Sequence, residues 1–463
     1  MASSPLEGFL QQLQLASISA QNSGNITCFD KLLSIDVINN EETVHQIAQL
    51  QPFLQSLNDQ QIESRIKSMN LFDRDWGAFT LLAISYLKLV RDFNPSSILR
   101  SHDLFLIYYN DLTVSLLNNQ FGNSLAHLFK DTTRFLIPLM KRLDHMLNEN
   151  VKGKRFKRLI FISTSLTKVF NHLRALKVMS EKKKMIVFIV NRLNMVYFTI
   201  NNPLLCANIF ANMNNMQNFK FSLFAKEEQV EYRYILARYY IIKNQLTKAY
   251  FHLNWCFVSN HSSSQVNALK ILRYLIPVGL LIGRYPSKRF LQYIPELNEI
   301  YAPLCLHLKT GNFIGFQNHV QQYEDYFKSR KLLILLVQRS RILIFRNLIF
   351  NTFQLINSHR GNFRLLYDEI QAALNKSING PSQTQNSQSL YRLDPSSQTV
   401  SIDDSLIENM IVSLIENNFL KGNNHTGLRT VILSRKEPFP NVFQQYMGIE
   451  TANIATLKEA WMN

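Results

Sequence analysis

Apolar residues recur at helical spacing from about residue 44 to 375, interrupted only by short polar pieces, and this pattern restricts the fold more than any other feature. "FGNSLAHLFKDTTRFLIPLMKRLDHML" (121–147) and "KKKMIVFIVNRLNMVYFTI" (182–200) are two clear amphipathic stretches. Sheet-rich folds need turn residues every 8–12 positions or so. A chain of 463 residues with 14 glycines and 13 prolines does not supply them. The expected class is therefore all-α. At 46% hydrophobic and 11% aromatic residues, the chain can bury a sizeable interior, and its length exceeds one ordinary core.

Paired helices are clearest at 228–258, "EQVEYRYILARYYIIKNQLTKAYFHLNWCFV". Tyr234, Ala237, Arg238 and Tyr239 precede a polar break at Lys243-Asn244-Gln245, and Ala249, Leu253 and Cys256 give the second helix a small, closely packing face. Alternation of small and aromatic residues across a helical hairpin is how stacked α-repeats fit, and the spacing resembles a degenerate tetratricopeptide repeat. Helical signals continue over 265–283, 288–301, 303–310 and 313–328. A helix near 341–356 follows, with Phe345, Leu348, Ile349, Phe353 and Ile356 on one stripe. "NFRLLYDEIQAALNK" (362–376) opens with a short alternating piece and becomes a helix. Residues 377–400, rich in Ser, Gln and Asn, read as a disordered loop. Ser401 and Asp404 then form an S-x-x-D capping box, ahead of a stripe of Ile407, Met410, Ile411, Leu414 and Ile415. In "NFLKGNNHTGLRTVILSRKEPFP" (418–440), Phe419–Asn423 reads as one strand and Leu428–Leu433 as its return. Gly422 and Gly427 let the chain turn, and Pro438-Phe439-Pro440 ends it. Helix, short strand, helix, helix and two-stranded wing is the order of a winged helix.

The formal net charge of +17 is unevenly spread. Residues 1–76 hold nine acids and four bases. Residues 151–192 hold twelve Lys/Arg against Glu181 alone, and residues 328–364 hold eight Lys/Arg and no acid. Such segregation favours a polyanionic partner, either nucleic acid or an acidic protein. Cys28, Cys206, Cys256 and Cys305 lie far apart without a CxxC pair, which points to reduced thiols. No basic region followed by an apolar core opens the chain, and "LLILLV" and "YLIPVGLLIG" are far shorter than a bilayer span. We expect no signal peptide, no membrane insertion and a soluble intracellular protein.

A helical-repeat region running into a winged helix resembles the PCI domain, found in scaffold subunits of the proteasome lid, the COP9 signalosome and a translation initiation factor. The matching pieces are "VNRLNMVYFTINNPLLCANIF" (190–210), "EQVEYRYILARYYI" (228–241), "LRYLIPVGLLIGRYP" (272–286), "RSRILIFRNLIFNTF" (339–353) and "LKGNNHTGLRTVILSRKEPFP" (420–440). They resemble most the messenger-RNA export subunit of the second transcription–export complex at the nuclear pore. The resemblance implies a nuclear, non-enzymatic subunit. It would pair its winged helix with that of a larger PCI-containing scaffold, bind a small acidic disordered protein, and present basic surfaces to RNA or DNA. A subunit associated with the COP9 signalosome, acting purely as a protein scaffold, is the alternative. The expected division is 1–180 (helical repeats), 181–338 (TPR-like part of the PCI domain), 339–440 (winged helix) and 441–463 (tail).

Enzymatic motifs are missing from the sequence. "VKGKR" (151–155) has a Gly-Lys pair, but Asn148 stands where a P-loop needs its first glycine and Arg155 replaces the Ser/Thr. No GxGxxG, GxSxG or HExxH occurs, so no cofactor or metal is expected. The candidate phosphate contacts are Lys421, Arg429, Arg435 and Lys436 on the wing, with Arg339, Arg341 and Arg346 from the helix before it. A second candidate patch comprises Lys152, Lys154, Arg155, Lys157, Arg158, Lys182, Lys183 and Lys184. The helix at 403–418 exposes Glu408, Asn409, Glu416 and Asn417, so carboxylates would face phosphates if it entered a DNA groove. Sequence-tolerant, salt-sensitive binding by the wing is the expectation instead.

Overall fold

The computed structural model describes residues 4–23, 27–148, 156–216, 220–261, 263–379, 402–454 and 459–462. It divides into two compact units, Met1–Ile235 with Lys458–Asn463, and Leu236–Leu457.

In the first unit, successive helices pack on their neighbours. Glu41–Leu54 and Asp59–Ser68 lie against Gly77–Asp92, which packs on Ile98–Leu116. That helix in turn meets Ala126–Asn148 and Lys157–Ala175. Local chemistry starts these helices where the sequence offers a cap. Asn40 accepts from the Thr43 amide at 3.3 Å, and Gln61 reaches back to the Asn58 amide at 3.0 Å. Ile186–Thr199 packs on Lys157–Ala175, and Ile186 through Val190 are all buried. A helix apolar on every side belongs in an interior. The two polar residues it buries, Asn191 and Asn194, follow this run, and Asn191 donates to the Glu228 carbonyl at 2.9 Å.

In the second unit, Leu246–Ser259 packs on Gln265–Leu281, and Ala249, Leu253 and Cys256 are wholly buried at 0% exposure. The small face read from the sequence is thus the packing face. Pro295–Thr310 lies against both Phe313–Gln322 and the long helix Leu333–Arg360. Its end is closed by Gly311 at φ +74°, where an added Cβ would stand 2.6 Å from the Cα of Leu348. Only glycine allows both that left-handed backbone and so close an approach.

The winged helix follows the expected order. The long helix leads to β1 (Arg364–Leu366), then Tyr367–Asn379, Asp404–Glu416, β2 (Gly422–His425) and β3 (Thr430–Leu433). The sheet is antiparallel in the order β1-β3-β2, with Arg364 opposite Ile432 and Gly422 opposite Leu433. Leu365, Val431 and Leu433 point inward onto a core that also holds Phe419, Leu420, Ile407, Met410, Ile411 and Leu414. Helical repeats ending in a winged helix with a small β-wing are the expected fold class.

Four local expectations are corrected. The long helix begins at Leu333, eight residues before the expected start, and it buries Leu336, Ser340, Leu343, Ile344 and Asn347 ahead of Ile349 and Phe353. Ser340 and Asn347 were invisible to an apolar count, because their side chains satisfy themselves on the Leu336 carbonyl at 2.5 Å and the Leu308 carbonyl at 2.7 Å. Ser401 and the loop 380–400 lie outside the described residues; the helix after them starts at Asp404 and is capped by Asp403, which accepts from the Leu406 amide at 3.0 Å. The wing strand begins at Gly422, three residues later than expected; the turn near Gly427 is a short 3-10 helix, Thr426–Leu428, followed by Arg429 at φ +48°. Gly422 serves close approach, since a Cβ there would lie 2.4 Å from the Ile432 carbonyl oxygen. Finally, the stretch after Pro440 forms a helix, Val442–Ile454. Phe443 packs 4.0 Å under the Arg284 guanidinium, and Tyr446 lies 5.5 Å from Phe419.

Candidate nucleic-acid interface

The wing places its basic side chains in three different situations. Arg435 and Lys436 follow β3, are exposed, and have no hydrogen-bond or ion-pair partner among the described residues. Lys421 is half-exposed and pairs with Glu437 at 2.8 Å, a surface pair that competes weakly with another anion. Arg429 is engaged more fully: its guanidinium donates to both Asp404 oxygens, at 2.8 and 2.9 Å, and meets Asp368 at 3.0 Å. These carboxylates hold its proton more firmly than usual, the Asp404 hydrogen bond being the main cause. The bidentate fork fastens the wing turn to the first turn of Asp404–Glu416.

The arginines of the long helix also diverge. Arg339 is exposed, with its Nε 3.2 Å from the Asn244 Oδ1. Arg341 is half-buried beside Phe313, Phe316, Val320 and Val337, and its Nε has no partner among the described residues. Arg346 turns into the fold. It donates to the carbonyls of Phe439 and Pro440 at 3.2 and 3.1 Å and lies over the rings of Phe350 and Phe439. Burial pulls its pKa below the ordinary arginine value. This arginine clasps the Pro-Phe-Pro terminator onto the long helix, so its guanidinium is already committed to protein carbonyls.

The second basic patch does not present one surface. Lys152, Lys154 and Arg155 lie outside the described residues. Lys157 is exposed, whereas Arg158 ion-pairs with the buried Asp144 at 3.2 Å and lies 2.7 Å from the His102 Nε2. Lys182 is 1% exposed, with its ammonium 2.6 Å from the Asn118 carbonyl oxygen. Desolvation lowers its pKa. Lys183 is also buried and donates to the Leu176 carbonyl, while Lys184 pairs with Glu181 at 2.6 Å. A run of three lysines reads as a solvated face, yet the first two terminate backbone carbonyls in the interior.

Arg364 was not singled out from sequence. It is exposed on β1, opposite Ile432, and the outer sheet face adds Asn423 and His425 from β2. Its signal was the two-residue alternation of "NFRLLY", which sends Arg364 outward and Leu365 inward. By contrast, Asp404–Glu416 exposes Asn409, Val412 and Glu416, with Glu408 half-buried. Exposed cations therefore stand on β1 and after β3, whereas Asp404–Glu416 carries no Lys or Arg.

No family model matches the chain. It is 28% identical over 423 residues to the nuclear mRNA export protein THP1 of Saccharomyces cerevisiae, covering 86% of this chain and 90% of that one. It is 31% identical over 172 residues to the PCI domain-containing protein 2 homolog of Drosophila melanogaster, 37% of this chain and 42% of that relative. A CSN12 homolog of Gibberella zeae is 29% identical over 174 residues, 36% of this chain and 38% of that protein. The chain thus spans less than half of the latter two and nearly the whole of the first. The resemblance carried by its residues is borne out: this chain is similar to the PCI-domain proteins and, along most of its length, to a nuclear mRNA export protein.

Proposed function

We propose that this chain is a non-enzymatic scaffold subunit of a nuclear-pore-associated complex coupling transcription to messenger-RNA export. It pairs its winged helix with a larger PCI-containing scaffold, holds a small acidic disordered protein, and touches RNA or DNA with the wing. The observation that carries this reading is the similarity to THP1 over 86% of the chain. Within the wing, Arg435 and Lys436 supply the phosphate contacts, with Arg364 on the adjoining strand and Lys421 exchanging Glu437 for phosphate. Arg339, exposed on the long helix, is a further phosphate contact. Nothing in this arrangement reads base edges, so binding is tolerant of sequence.

Arg435→Glu combined with Lys436→Glu tests the contact, with fluorescence anisotropy on single-stranded RNA and on duplex DNA, using the assembled complex. A tenfold or greater loss of affinity is expected. Unchanged affinity for both nucleic acids overturns the wing as the contact.

A further inference from the structure

The segment Glu459–Met462 occupies a socket in the first unit that the sequence gives no reason to expect. Trp461 stands edge-on to two rings, 5.1 Å from Phe221 and 5.4 Å from Tyr232, and Phe210 buttresses Tyr232 at 5.6 Å. The indole Nε1 donates to the Asn214 Oδ1 at 2.9 Å. Met462 is 5% exposed, and its carbonyl accepts from the Arg233 Nη2 at 2.5 Å. Arg233 itself is buried and lies 5.6 Å from the Phe221 ring centroid. The socket lies more than 220 residues upstream of the segment it holds.

These contacts have the form of peptide recognition. One large aromatic side chain enters a pocket of rings, its single polar atom is matched, and an arginine fixes the main chain beside it. A segment of four residues cannot build a core of its own, and its hold includes the indole, the buried Met462 and two hydrogen bonds to the socket. Attachment to the same chain raises its local concentration, so a site of modest intrinsic affinity stays filled.

We propose that Phe210, Asn214, Phe221, Tyr232 and Arg233 form a binding site for a short Trp-Met peptide, and that the chain's own Glu459–Met462 is the ligand that fills it. While that segment is docked, the site is closed to any other peptide. A free peptide with the same Trp-Met pair enters when the segment is removed.

The test uses the full chain with Trp461→Ala and a labelled peptide of residues 458–463, followed by fluorescence anisotropy. The variant is expected to bind the peptide at least tenfold more tightly than wild type, and a peptide with Ala in place of Trp is expected not to bind. Equal binding to both proteins, or none to a variant whose circular dichroism and melting match wild type, overturns the proposal. A second protein, with a protease site inserted within residues 455–458, keeps every socket residue and Trp461. After cleavage, the segment should leave on dilution, giving a red shift in the tryptophan emission that added peptide reverses. Emission unchanged by cleavage and dilution also overturns it.

Discussion

At the scale of single residues, identity predicts role only where geometry leaves one role open. Arg346 and Arg435 are the same residue type within one module, yet one terminates two buried carbonyls and the other projects from the wing. Arg346→Ala leaves the Phe439 and Pro440 carbonyls without their donor and should cost about 1–3 kcal/mol in chemical denaturation. Gly311→Ala meets both a left-handed backbone and the Leu348 Cα at 2.6 Å. It should cost about 2–4 kcal/mol by the same measurement, from strain added to overpacking. Asp30 gives a pH signature. Burial, opposed by His127 and reinforced by Asp131, raises its pKa from an ordinary 3.8 to about 6. The folded state therefore holds this proton more tightly than the unfolded chain. The stabilisation is present below about pH 4 and lost as pH rises to about 6. Asp30→Asn should remove this loss, so its melting temperature should gain on wild type between these pH values and then level off. A difference independent of pH would contradict the assignment.

At the scale of elements, what was legible was periodicity and what was hidden was partnership. The stripe of Asp404–Glu416 and the small face of Leu246–Ser259 were readable because apolar side chains at helical spacing have one place to go. The start of Leu333–Arg360 was obscured because "LLILLV" is apolar on all sides and marks no face. The helix Val442–Ile454 went unread because its apolar residues meet an arginine and aromatic rings from distant segments. The lysine run at 182–184 misled for a related reason: a carbonyl buried sixty residues away in sequence, such as that of Asn118, leaves no trace in a composition window. This gives a discriminating pair of variants. Charge reversal of Arg435 and Lys436 should reduce the slope of log affinity against log salt by about 2. Lys182→Met should leave that slope unchanged, because its ammonium never meets solvent. Titrations of RNA binding between low and physiological salt decide between them.

At the scale of the whole molecule, the net charge of +17 is a poor guide to a binding surface. Several basic side chains are engaged within the fold: Arg158 on Asp144, Lys182 and Lys183 on main-chain carbonyls, and Arg429 on the carboxylates that fasten the wing turn. The order of elements carried more information than the charge, since helical repeats followed by helix, strand, helix, helix and wing appear in the sequence in the order the fold uses them. The direct test is affinity purification of the tagged full-length chain from nuclear extract, with quantitative mass spectrometry of what it retains. The account predicts stoichiometric recovery of a larger PCI-containing scaffold of the nuclear pore together with a small acidic protein. Stoichiometric recovery of signalosome subunits in their place would contradict it.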